Sequence, residues 1–134
     1  MPPLSVWMLR TALVYLAVGF ALGAVLLTHR ARPLHPAIPG LLPVHAEFLL
    51  FGWMVQLALG TAFWILPRFR SGPERGNEGA ARLAYVTLNI GILMVSCGAL
   101  LGAPRLGFVG RLAEAFAAAA FGYHAWPRLK PFAS

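Results

Sequence analysis

The chain has 134 residues, 59% of them hydrophobic and only 11% charged, with a mean hydropathy of +0.71. A soluble domain carries roughly a quarter charged residues, so this composition excludes a surface that mainly faces water. The net charge of +7 does not point to nucleic acid, because the basic residues sit in connections and at chain ends and form no basic stripe interleaved with exposed aromatics.

Four apolar runs follow in order, at residues 9–28, 43–66, 81–101 and 106–126. At about 1.5 Å of rise per residue, each is long enough as a helix to cross the roughly 30 Å hydrocarbon layer. Helices are also forced on physical grounds, because a backbone in lipid must satisfy its own hydrogen bonds. The runs are rich in Leu, Ala and Gly and lack the two-residue alternation of barrel strands. The expected fold is all-α: an integral membrane four-helix bundle, antiparallel and up-down, forming a single domain over residues 1–134. The first run is long for a signal peptide and no small-x-small cleavage pattern follows it, so it reads as a retained helix.

Between the first two runs lies Arg32-Pro33-Leu34-His35-Pro36-Ala37-Ile38-Pro39-Gly40-Leu41-Leu42-Pro43, apolar yet full of helix breakers. This segment, 32–43, is expected to lie along the outer interface and cover the mouth of the bundle. The connection 68–79 is polar and Gly-rich, with Ser71-Gly72-Pro73-Glu74 and Gly76-Asn77-Glu78-Gly79, and reads as a soluble loop. The last two runs are joined by Gly102-Ala103-Pro104-Arg105, a tight turn that makes them antiparallel neighbours. Cys97, the only cysteine, falls inside the third run and reads as a packing residue; no intrachain disulfide is possible.

The basic residues set a direction. Arg10, Arg68, Arg70, Arg75, Arg82, Arg128 and Lys130 fall on one side, and Arg30, Arg32, Arg105 and Arg111 on the other. The larger set places both termini and the 68–79 loop in the cytoplasm, in a cell's inner (cytoplasmic) membrane. Trp7, Trp64, Tyr123 and Trp126 fall near the same interface, as an aromatic belt does.

Small residues mark the packing faces: Gly19-x3-Gly23 in the first run, Gly91, Gly98 and Gly102 in the third, and Gly107, Gly110, Ala113, Ala117 and Ala120 in the fourth. They are read as helix contacts, with a flat prosthetic group or a second subunit as the alternative occupant of one smooth face. Polar residues within the runs carry more information, because they are costly there: His45, Glu47, Gln56, Asn89, Ser96, Arg111, Glu114 and His124. Steps of about 100° place His45, Gly52, Gln56 and Phe63 in one narrow sector. A ring nitrogen above a glycine notch suits a histidine that holds a planar ligand; equally, it suits a histidine hydrogen-bonded to a carbonyl or to water. Arg111 and Glu114, one turn apart, form an ion pair or share a wet pocket; with a haem bound, Arg111 is a candidate for its propionates. His124 lies close to a membrane thickness from His45 and cannot share a metal with it. His29 and His35 lie in outer connections within approach of His45.

The second run meets a family. Leu42-Pro43-Val44-His45-Ala46-Glu47-Phe48-Leu49-Leu50-Phe51-Gly52-Trp53, continuing to Gly60 and Ile65-Leu66-Pro67-Arg68, resembles the second transmembrane helix of haem–copper oxidase subunit I. It looks most like the nitric oxide reductase and C-type oxidase branches, and is similar to a related family of haem proteins linked to nitric oxide response. The resemblance implies that His45 ligates a low-spin haem b, with Gly52 beside the ring. It covers one helix; the whole chain resembles the first four of subunit I's twelve helices. The copper ligands and the high-spin haem ligand lie on later helices, so reduction of oxygen or nitric oxide by this chain alone is not implied. Subunit I looks like three four-helix arcs around a pseudo-threefold axis, and this chain has the size of one arc. The implied protein is a membrane homo-oligomer, or a partner of respiratory-complex subunits, in which His45 from two copies ligates one haem b for electron transfer or gas or redox sensing. The alternative is a haem-free accessory or assembly subunit of a respiratory complex. A small transporter is the weaker reading, because inverted repeats and broken helices are not evident.

Overall fold

The computed structural model describes residues 1–70 and 72–129. Ser71 of the soluble loop and Lys130 of the cytoplasmic basic set lie outside them. The described residues form four long helices and no strand: α1 (Pro3–Ala31), α2 (Ile38–Ile65), α3 (Glu78–Leu100) and α4 (Pro104–Ala125). The first three are long and apolar enough to cross a membrane. α4 matches them in length but carries Arg105, Arg111 and Glu114.

Sequence chemistry sets the helix ends. Proline opens α1 and α4 within the first helical turn, where the missing N–H costs nothing. His29 and Arg30 fall in the last turn of α1, against its negative pole. Asn77 caps α3, its Oδ1 accepting from the Ala80 N–H at 3.1 Å. α3 therefore starts three residues before the apolar run does. It ends in a Schellman turn: Gly102 takes φ +62°, and the Ala103 N–H reaches back to the Gly98 carbonyl at 2.8 Å.

α2 departs from expectation at both its start and its middle. The interfacial segment is already helical from Ile38, through a 3-10 turn at Ile38–Leu41. Pro39 and Pro43 each stand where a first turn tolerates them. A π-helical stretch, Phe48–Val55, then separates two α-helical parts, Leu42–Glu47 and Gln56–Ile65.

Helices pair through glycine. The buried residues of α1 are Ser5, Met8, Ala12, Tyr15 and Gly19, spaced three and four apart in one seam. Along the antiparallel α1–α2 contact, a Cβ on Gly60 would meet Met8 and Leu9, one on Gly52 would meet Tyr15, one on Gly19 would meet Leu49, and one on Gly23 would meet His45. Ser5 Oγ donates to the Gly60 carbonyl at 2.6 Å. α3 and α4 touch backbone to backbone: a Cβ on Gly98 would sit 2.6 Å from Gly107 N, and one on Gly91 2.8 Å from the Gly110 carbonyl oxygen. The glycine faces are thus helix contacts, as small residues in lipid favour.

Polar bonds cross between the pairs. Asn89 donates to Gln56 Oε1 at 2.7 Å, and the Thr11 and Tyr85 hydroxyls meet at 2.8 Å. At the end that holds Pro3 and Arg128, Phe63, Ala81, Ala84, Phe121 and Ala125 form a core. There Arg128, only 3% exposed, caps α2 by donating to the Leu66 carbonyl at 2.6 Å and the Pro67 carbonyl at 3.0 Å. Burial, and then the neighbouring Arg75, push the Arg128 guanidinium below its ordinary value.

Gly98→Val is expected to destabilise the protein by about 1–3 kcal/mol through overpacking, whereas Gly107→Ala, whose Cβ would meet open space, leaves it nearly unchanged. Thermal unfolding followed by circular dichroism in detergent separates the two.

Candidate functional site

Near the N-terminal end of α2 the His45 ring lies in the notch between Gly19 and Gly23 of α1. His45 Nδ1 is 2.7 Å from the Gly19 carbonyl oxygen. A carbonyl only accepts, so Nδ1 carries the proton and Nε2 keeps its lone pair. The other three histidines are committed differently. His29 Nδ1 accepts from the Leu34 N–H at 3.0 Å, and His35 Nδ1 from the Ala37 N–H at 3.1 Å, so in the neutral ring each Nε2 bears hydrogen. His124 donates from Nδ1 to the Asn77 carbonyl, accepts at Nε2 from Arg128, and stacks on Phe63. His45 is therefore the histidine with an Nε2 lone pair left over.

Gly52 does share a face with His45, but that face is covered. The Tyr15 ring fills the space that Gly52 leaves; a Cβ there would be 2.5 Å from Tyr15 Cγ. Tyr15 packs edge-on against Phe48, with ring centroids 4.9 Å apart. The notch expected beside a planar ligand is thus closed by α1.

Arg111 is engaged more fully than its spacing from Glu114 foretold. It grips Glu47 with two bonds, Nη1 to Oε1 at 3.1 Å and Nη2 to Oε2 at 2.6 Å, and holds Glu114 Oε2 at 2.7 Å. Its guanidinium lies 4.9 Å from the centre of the Phe51 ring. Glu47 is 3% exposed and Glu114 5%, while the Arg111 side chain is half exposed. Glu47 came forward in the sequence only as a polar residue in an apolar run. One signal could have found its partner: a carboxylate in an apolar run needs a cation at the same height, and Arg111 is an arginine inside another apolar run. Among the described residues, Glu114 Oε1 and Ser96 Oγ are buried without a hydrogen-bond partner.

Among the described residues no three His, Cys, Asp or Glu side chains converge on one point. Side chains alone thus build no metal cage here, whereas a porphyrin-held iron asks the protein only for axial ligands. Comparison with protein-family models, curated proteins and solved structures gives no match.

Arg111→Leu leaves two carboxylates buried without their cation. It is expected to cost about 3 kcal/mol, the lower end for a broken buried pair because the guanidinium is half exposed. Adding Glu47→Gln and Glu114→Gln to Arg111→Leu should recover much of that loss, as read by thermal unfolding in detergent.

Proposed function

We propose that the chain is a multi-pass protein of a cytoplasmic membrane that holds haem b through His45. In this reading all four helices cross the bilayer, both termini are cytoplasmic, and His45 lies near the outer face. α4 crosses with its internal charges gathered against α2: Arg111 pairs with Glu114 of its own helix and with Glu47, and both carboxylates are buried.

The observation that carries the reading is the His45 Nδ1 bond to the Gly19 carbonyl. Metal-bound histidines use the same kind of bond to fix the ring and its tautomer, leaving Nε2 as the ligand. Tested against the chain, a haem finds one axial ligand in His45 Nε2. It finds no room at Gly52, and Arg111 is already shared by two carboxylates. His45 Nε2 would be this chain's one ligand to such a group. Haem iron held this way supplies one-electron redox change, or gas binding at an open axial position. The chain's own part is to present a neutral imidazole in a fixed orientation. The second axial ligand then comes from a second copy's His45 or from another respiratory subunit.

A second reading has its own support. The closed Gly52 notch and the engaged Arg111 are what a haem-free accessory or assembly subunit shows, one that docks through exposed apolar faces such as Phe20, Phe108, Leu112 and Phe116.

A reduced-minus-oxidised spectrum of the detergent-purified protein, recorded with its oligomeric mass, decides between them. Narrow b-type bands in an oligomer, lost in His45→Ala, are the expected result. A preparation with no Soret band selects the accessory reading. For orientation, a cysteine placed at Gly76 should react with a membrane-impermeant thiol reagent only from the cytoplasmic side; labelling from outside reverses the topology.

A further inference from the structure

We propose that the groove between the first turns of α1 and of α3 holds an anionic phospholipid, its phosphate on Arg82 and Trp7 and an acyl chain along both helices. The groove has a volume of about 390 Å³ and is lined by Pro3, Leu4, Trp7, Arg82, Tyr85 and Val86. One bond ties its two walls together: the Thr11 and Tyr85 hydroxyls meet at 2.8 Å. Thr11 Oγ1 gives its own hydrogen to the Trp7 carbonyl at 2.9 Å, so Tyr85 is the donor between the two hydroxyls. Trp7 lies one turn before Thr11, and Arg82 one turn before Tyr85. The indole and the guanidinium therefore flank the groove at the same height. Past the Thr11–Tyr85 bond, the same two stripes continue as exposed apolar residues, Val14 and Val18 on α1 and Val86, Ile90 and Leu93 on α3. A polar head above an apolar track matches a phospholipid, not a soluble anion.

Charge selects the kind of phospholipid. At this end of the molecule Arg68, Arg70, Arg75, Arg82 and Arg128 stand against two acids, Glu74 and Glu78. Arg75 and Arg128 both donate to the Phe63 carbonyl, which satisfies N–H groups and leaves the charges uncompensated. Arg68 pairs with Glu74 at 3.6 Å. Arg82 comes only to 3.9 Å from Glu78, beyond hydrogen-bond length and with both side chains exposed, so its donors are open to a phosphate. The positive excess calls for an anionic headgroup. Trp7 adds a neutral donor: its carbonyl is engaged by Thr11, while its indole N–H has no partner among the described residues. Trp64, Tyr123 and Trp126 are exposed at the same end. Such rings favour the headgroup level, which is then the level of Arg82. The site stands apart from His45, near the other end of α2, and holds whether or not that histidine carries haem.

The test is lipid binding to the detergent-purified full chain, read by native mass spectrometry, with phosphatidylglycerol and phosphatidylcholine of the same acyl chains as probes. The wild type should bind one phosphatidylglycerol about five- to tenfold more tightly than phosphatidylcholine, the size of one cation's contact with an anionic headgroup. Arg82→Gln should abolish that preference and Arg82→Lys should keep part of it; the side chain is exposed, so both variants are expected to fold. Arg70→Gln, exposed at the same end, should leave the preference intact. Trp7→Phe keeps an aromatic ring and loses the N–H, and should weaken both lipids alike, because both carry the phosphate. Equal binding of the two lipids by the wild type overturns the proposal. Equal loss of preference in Arg82→Gln and Arg70→Gln also overturns it, because diffuse charge rather than this groove then holds the lipid. Displacement of phosphatidylglycerol by an equal concentration of inorganic phosphate marks a free-anion site and overturns the lipid assignment.

Discussion

Arg111 joins the two helix pairs of this molecule, and the packing of the end around it depends on it. In lipid, helices gain nothing by hiding apolar surface from one another, because the acyl chains are as apolar as leucine. Association then falls to close backbone approach and to polar side chains. α1 with α2, and α3 with α4, use the first device through their glycines. α2 and α4 use the second, at both ends. Glu47 and Glu114 share Arg111 toward one end, and Arg128 of the segment after α4 reaches the Phe63, Leu66 and Pro67 carbonyls, where α2 ends, at the other. Each clamp also removes a cost: the first sets a cation between two buried carboxylates, and the second satisfies carbonyls that no further helical turn would meet.

How far the sequence disclosed this depends on separation along the chain. Run lengths, the tight turn at Gly102 and the glycine faces are local properties, and they placed the helices and their contacting sides. The Asn77 cap was also local, yet the apolar run suggested a later start, because a helix leaving the hydrocarbon continues into polar residues that hydropathy ignores. The π-helical stretch in α2 had no local sign: Phe48-Leu49-Leu50-Phe51 reads as ordinary helix, and the register change serves contacts with α1 and α3. The Arg111–Glu114 pair was visible at a spacing of three. The Arg111–Glu47 pair, 64 residues apart, was not. Gly52 shows the same limit. A glycine announces space but not its occupant, and Tyr15 takes it from a helix 37 positions earlier in the chain.

The four histidines illustrate how structure turns a residue type into chemistry. By sequence, His45 stood out on a helix face above a glycine, and His29 and His35 lay in connections within approach of it. Hydrogen bonds separate them. Two have Nδ1 occupied by a backbone donor, which in the neutral ring places hydrogen on Nε2; one has Nδ1 bonded to a backbone acceptor, which frees Nε2. The difference arises from where each ring meets the main chain. His29 and His35 meet N–H groups of the irregular segment after α1, where helical bonding has stopped. His45 meets a carbonyl inside α1, reachable because Gly23 carries no side chain to keep the ring away. The glycine motif that pairs two helices is thus also what fixes a tautomer.

That coupling bears on why a single chain is an incomplete unit in the proposed function. The seam that orients His45 is consumed by the orientation: Gly23 is under the ring, Gly52 under Tyr15, and Arg111 between two carboxylates. Nothing on the α1–α2 face remains to supply a second axial nitrogen, and His124 is bound at both of its nitrogens at the opposite end. A haem iron with two protein ligands would need the second from outside this chain. The surface available for such a contact is broad and apolar, with Leu13, Val14, Phe20 and Leu27 exposed along α1. A ligand presented singly on an otherwise sealed helix pair is the arrangement in which association supplies what folding does not.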